Sequence, residues 1–160
     1  MPCVESRAPG AQVPMSELPF WKTKALAEMS RDEWESLCDG CGKCCLQKLE
    51  DEDEGDVYYT RVVCRYMTDD CRCSIYEHRQ REVPNCVWLT PRDVDQFFWL
   101  PQACAYRLIA EGKDLPDWHH LNSGDNNRIH AVDASVLSMS LVRDDAVPEE
   151  DWEDYIIDNL

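Results

Sequence analysis

Four cysteines stand within eight residues of this chain: Cys38, Cys41, Cys44 and Cys45, spaced C-x-x-C-x-x-C-C. Thiolates are strong, soft ligands for zinc, copper(I) and iron. Two cysteines separated by two residues can turn both sulfurs to one side of a tight bend. Gly40 and Gly42 suit that bend, because glycine tolerates positive φ and leaves backbone N–H groups free to point at sulfur. The pattern implies metal ligation and names no reaction.

The remaining cysteines are Cys3, Cys64, Cys71, Cys73, Cys86 and Cys104, making ten in all. Cys3 lies in a proline-rich leader and is set aside. Nine remain between positions 38 and 104, enough for two four-thiolate sites with one to spare. Neighbouring side chains point apart. Cys44 is therefore expected to complete the first site, and Cys45 to reach a second or to serve separately.

The competing reading of many cysteines is a disulfide framework, which needs an oxidising compartment. Residues 1–15 have neither the apolar run nor the basic start of a secretory signal. No stretch reaches the roughly 18 apolar residues of a membrane helix. The expected setting is cytoplasmic and soluble, with reduced thiols and a metal ion or cluster as the partner.

The elements that must position these sulfurs fit a single domain. Residues 1–16, with Pro2, Pro9, Gly10 and Pro14, read as a disordered leader. Residues 17–160 read as the cysteine-cluster metal-binding domain. Its expected class is α+β: small, loop-rich and metal-stabilised, with short helices and a β-hairpin. Structural zinc contributes about 10–16 kcal/mol to small folds, against a usual net stability of about 5–15 kcal/mol. Loss of metal is expected to loosen the fold. Sixteen basic residues against thirty-two acidic ones leave a formal charge of −16. That balance argues against nucleic acid and anionic membrane as partners, since phosphate binding needs a basic face.

Ser30 with Glu33 is a capping box and predicts a helix over 31–37, with Trp34 and Leu37 turned to the core. Residues 46–49 and 57–63 predict two strands, joined by an acidic, solvated loop over 50–56 that closes at Gly55. Such a hairpin returns Cys64 towards Cys45. One or two helical turns are expected over 75–81. A helix capped by Thr90 and started by Pro91 should end near Phe98. Another should begin at Pro101 and stop at Gly112, with Cys104 on its first turn. Residues 129–142 suggest one or two strands, and Pro148 opens an acidic terminal helix.

The run Cys38-x-x-Cys41-x-x-Cys44-Cys45 resembles the bacterial CxxCxxCC domain, the YkgJ-type zinc- or iron-chelating domain. Cys73-Ser74-Ile75-Tyr76-Glu77-x-Arg79 looks like its second hallmark, with Gln80 where the family commonly has proline. Residues 46–54, 99–107, 111–115 and 123–125 are similar to the narrower YcgN branch. The likeness runs from about Phe20 to the C-terminus. It implies, as ligands, Cys38, Cys41, Cys44, Cys45, Cys64, Cys73, Cys86 and Cys104, with Cys71 an extra that could substitute in either site. A similar cluster occurs in flagellin lysine N-methylase, but no recognisable methyl-donor site accompanies it here.

Two cofactors stay open. The first three cysteines share the C-x₂-C-x₂-C spacing of ferredoxins, but the fourth follows at once and no proline is next. Zinc sites often pair two C-x₂-C knuckles, and Cys71-x-Cys73 is one residue short of the second. An iron–sulfur cluster and zinc are both compatible. His119 and His120 are further candidate ligands, set against a packing role. Arg79 and Arg107 could donate to sulfur or bind a small anion, or form plain ion pairs. Tyr76, Trp99 and Tyr106 could wall the metals from water. Three functions follow: a metal-stabilised binding module, an iron–sulfur redox enzyme or electron carrier, and a metal carrier or sensor using exchangeable ligands.

Overall fold

The computed structural model describes residues 17–157. The expected leader, and Cys3 within it, lie outside these residues. The fold is α+β, as expected: short helices around a small three-stranded sheet of order β1-β2-β3.

Helix α1 (Phe20–Thr23) and a 3-10 turn at Leu26–Glu28 lead into α2 (Arg31–Ser36). The cap forms as the sequence predicts, with Glu33 N–H donating to Ser30 Oγ across 3.2 Å. Trp34 and Leu37 are buried. Strands β1 (Leu46–Glu50) and β2 (Val57–Val63) form the antiparallel hairpin. Its register shifts between Leu46 and Lys48: Leu46 pairs with Val63 but Lys48 with Tyr59, so β2 carries the extra residues and bulges opposite Gln47. Thr60 Oγ1 fixes the bulge by donating to the Gln47 carbonyl across 2.7 Å. Such a bulge re-aims the residue that follows it. The acidic turn is exposed.

A 3-10 turn at Tyr76–His78 continues into α3 (Arg79–Glu82). The Thr90-capped segment is a 3-10 helix, Pro91–Trp99, closed by a capping box with Asp93. The helix expected from Pro101 starts later: α4 spans Ala105–Ala110, and Cys104 is its N-cap rather than a member of its first turn. Residues 101–104 form a turn instead, with Cys104 N–H bonded to the Pro101 carbonyl. Beyond lie α5 (His120–Ser123) and α6 (Arg128–Ala131).

The strands expected over 129–142 are largely absent. Their place is taken by α6, a 3-10 turn at Val136–Ser138 and the two-residue β3 (Val142–Arg143), which runs parallel to β2. Short apolar stretches carry no period long enough to separate the two states. Ile129 and Val136 are both buried, whatever the backbone. The acidic terminal segment is a 3-10 helix, Glu149–Tyr155, following Pro148.

Two hydrophobic clusters form the core. One gathers Leu26, Trp34, Leu37, Phe97, Leu100, Ala105, Tyr106 and Leu115. The other joins Leu46, Tyr59, Val63, Cys71 and Val136. Trp99 packs against both, and Tyr59 Oη ties them by donating to the Trp99 carbonyl across 2.9 Å.

Candidate metal centre

The cysteine loop is shaped by its own small residues. Gly40 and Gly42 adopt φ of 73° and 77°, as the turn requires. Cys41 N–H donates to Asp39 Oδ1 across 3.0 Å, which folds the chain back after Cys38. Lys43 N–H then points at Cys41 Sγ across 3.4 Å, the backbone-to-sulfur arrangement anticipated from the glycines. A 3-10 turn, Lys43–Cys45, hands the chain to β1.

Cys38, Cys41, Cys44 and Cys104 share one neighbourhood. Cys38 follows Leu37, the C-cap of α2. Cys104 caps α4, and α4 is docked on α2: Tyr106 Oη donates to the Trp34 carbonyl across 2.8 Å, and the two rings lie 4.5 Å apart. Desolvation raises the Cys38 and Cys104 thiols to about 12 from the ordinary 9.0, Cys38 while it keeps an exposed edge. Repulsion from Cys44 adds to both, with Asp39 acting on them as well. Cys41 is pushed up in the same way, first by burial, then by Asp39 and Cys44.

Cys45, Cys64, Cys73 and Cys86 share a second neighbourhood. The hairpin brings Cys64 back to Cys45, as predicted: Cys64 N–H donates to the Cys45 carbonyl across 2.8 Å. A β-bridge between Met67 and Cys73 folds the next turn against this pair. Gln80 Nε2 on α3 holds the Cys86 carbonyl across 2.8 Å. Burial again leads in raising the Cys45 thiol to about 12, and Cys44, Cys64, Cys73 and Cys86 all contribute repulsion. Cys44 also feels Cys86, so the two neighbourhoods adjoin at the Cys44–Cys45 step.

Cys71 stands apart. It is buried at φ 61° and hydrogen-bonded to Ser135, and burial raises its thiol. Its sulfur lies beneath Gly42, in the cluster with Val136. Among the described residues, no three histidine, cysteine, aspartate or glutamate side chains are drawn close enough to hold an ion as they stand. The donor chemistry nonetheless fits a soft metal: desolvation raises the Cys38, Cys41, Cys44, Cys45, Cys64, Cys86 and Cys104 thiols, which stay protonated until a cation displaces the protons.

His119 is a packing residue. Leu121 N–H donates to its Nδ1 across 3.1 Å, so the ring proton sits on Nε2, which faces the Leu37 carbonyl at 2.9 Å. Both nitrogens are used. Burial, foremost, lowers its pKa. His120 stacks on it with ring centroids 4.3 Å apart and lines a polar recess with Cys38, Asp39, Arg72 and His130. Arg107 bonds the Leu100 carbonyl and pairs with Glu111. Arg79 lies over the Tyr76 and Trp88 rings and donates to the Tyr76 carbonyl. Tyr106 is buried and Trp99 partly so, but Tyr76 is 48% exposed and bonded to Glu35, so it walls nothing off.

Three residues not singled out from the sequence belong here: Asp39, Tyr59 and Lys48. Asp39 before a glycine is an ordinary turn signal. The other two owe their position to the hairpin register, which pairs Lys48 with Tyr59.

These features define a cysteine-cluster protein. Residues 37–105 match the CxxCxxCC family, described as a "Putative zinc- or iron-chelating domain", and the chain belongs to that family. It is similar over most of its length to curated relatives named UPF0260 protein. That of Ectopseudomonas mendocina is 59% identical over 87% of this chain and 93% of its own. That of Marinobacter nauticus is 57% identical over 89% and 97%, and that of Pseudomonas aeruginosa 58% over 87% and 93%. No solved structure matches. Among the described residues, no helix is long and apolar enough to cross a membrane.

Proposed function

We propose that this protein is a metal-stabilised binding module with two adjoining four-thiolate centres. Cys38, Cys41, Cys44 and Cys104 supply one; Cys45, Cys64, Cys73 and Cys86 supply the other. The reading is supported by the mutual influence of the thiols: Cys44 acts on Cys38, Cys41 and Cys104, while Cys64, Cys73 and Cys86 act on Cys45. Four thiolates close a tetrahedral site and leave no position for a reacting water, which favours a structural role over hydrolysis. When bound, the metal cross-links α2, the cysteine loop and α4 on one side, and the ends of the hairpin with the following turns on the other.

A second reading, an iron–sulfur electron carrier, draws support from the ferredoxin-like spacing of the first three cysteines and from the adjacency of the two neighbourhoods.

Anaerobic purification followed by elemental analysis and an optical spectrum tests both. A colourless protein holding about two tightly bound zinc ions fits the first reading. A brown protein containing iron and acid-labile sulfide, bleached reversibly by reductant, fits the second. Protein that carries neither and shows cysteine-to-cysteine crosslinks after rapid alkylation refutes the two-centre assignment.

A further inference from the structure

Among the described residues, Lys48 is a cation without an acidic partner. Its ammonium donates to the Cys44 carbonyl across 3.0 Å and to the Leu46 carbonyl across 2.8 Å. It lies 5.1 Å from the centroid of Tyr59 and 5.9 Å from that of Trp99. Among the described residues, no carboxylate pairs with it. In a chain with a surplus of sixteen negative charges, the absence of a partner calls for an explanation. A half-buried charge is costly unless matched.

The hairpin register sets its position. Lys48 pairs with Tyr59 whereas Leu46 pairs with Val63, so β2 bulges between these two pairs and Lys48 stands directly across from the Tyr59 ring. Leu46 stays in the core while the Lys48 side chain folds back along the chain to the Cys44 carbonyl. There the ammonium feels Cys44, Cys45, Cys86 and Cys41, members of both thiol sets.

We infer that Lys48 is the shared countercharge of the two thiolate centres, a positioning residue that raises their affinity for metal without ligating it. The inference rests on the two-centre reading. A divalent ion held by four thiolates carries a net charge of −2, and two such centres side by side repel each other. A cation between them offsets that repulsion. Tyr59 and Trp99 shield the ammonium from water and strengthen the effect, since rings attract a cation over their faces and lower polarity enlarges charge interactions. Without metal, Lys48 has only two carbonyls and two rings to offset its desolvation.

The test compares wild type with Lys48→Gln, which keeps amide donors but no charge, and Lys48→Arg, which keeps the charge. Zinc(II) is titrated into metal-free protein against a chelator of known affinity, and melting temperature is recorded with and without zinc. Circular dichroism checks folding, and Lys48→Met, which keeps the apolar stem, replaces the glutamine variant should that not fold. K48Q is expected to bind zinc about 10- to 100-fold more weakly, as for other groups just outside a metal's ligands. Its gain in melting temperature on zinc addition should shrink, and K48R should stay close to wild type. Equal affinity for K48Q and wild type would overturn the countercharge. So would an equal loss in K48Q and K48R, which would assign the effect to the shape of lysine. If wild type takes up no zinc, the two-centre assignment fails first, an outcome separable from the other two.

Discussion

Gly42 and Val136 meet with no space between them: a Cβ at position 42 would lie 2.7 Å from Val136 Cγ2. The same contact is tied by the backbone, since Val136 N–H donates to the Cys41 carbonyl across 2.9 Å. The cysteine loop is thereby pinned to the residues after α6. Gly42→Ala suffers both the positive φ and the clash, and should lose about 2–4 kcal/mol. Gly40→Ala has the same kind of φ but nothing within 4 Å, and should lose only about 1–2 kcal/mol. Urea unfolding of the two variants, loaded and metal-free, checks the difference. Equal losses would mean that the Val136 contact carries no energy.

The two thiol sets can be dissected one at a time. Cys104→Ser removes a ligand of the first proposed centre and Cys86→Ser one of the second, so each should retain at most about half of the wild-type metal, because ligands and folding are coupled. Cys41→Ser, at the middle of the loop, should lose metal and lower the melting temperature. Cys71→Ser should keep full metal content, because its sulfur packs beneath Gly42. Elemental analysis per folded chain decides. Metal loss in Cys71→Ser would move that residue into the ligand set.

Alkaline pH should weaken the metal-free fold. Burial raises the Cys45 and Cys104 thiols from 9.0 to about 12. The unfolded chain therefore ionises first as pH climbs. The contribution is complete below pH 9.0 and is lost as pH rises towards the folded values. Metal-loaded protein should be spared, since its thiolates are already deprotonated and coordinated. Melting temperatures from pH 8 to about 11, with and without metal, give the comparison. A flat profile for the metal-free form would contradict it.

His119 acts at the other end of the scale. Its burial lowers its pKa below 6.5, so the folded state prefers the neutral ring. Its stabilising effect is full above pH 6.5 and fades as pH falls through the folded value. Protonation would also set a charge at Nδ1 against the Leu121 N–H that now donates to it. In metal-free protein, His119→Gln should cost stability at neutral pH and flatten the decline below pH 6.5. An unchanged acid profile would place the sensitivity elsewhere.

What the sequence revealed was local. The Ser30 cap, the Thr90 cap and the positive-φ glycines each depend on residues within a turn of one another, and each formed as expected. The hairpin was legible because two strand-forming runs, 46–49 and the β-branched and aromatic 57–63, flank an acidic loop closed by Gly55, and the return of Cys64 to Cys45 followed from it. What escaped depended on tertiary choices. Residues 129–142 bury Ile129 and Val136 from helical turns, although the same residues could have lined a strand. Cys104 moved to an N-cap because the chain turns at Pro101 before the helix begins. The placement of Lys48 across from Tyr59 depends on a register shift in β2 that no composition announces.

Cys44 and Cys45 are consecutive, yet Cys44 acts on Cys38, Cys41 and Cys104, whereas Cys64, Cys73 and Cys86 act on Cys45. One amide plane is then the whole covalent divider between the proposed centres, with a single soft torsion on either side of it. An ion seated by the first centre would freeze the rotation that aims the neighbouring sulfur at the second. Occupancy should therefore rise in pairs, with singly loaded molecules scarce in a native mass spectrum taken midway through a titration.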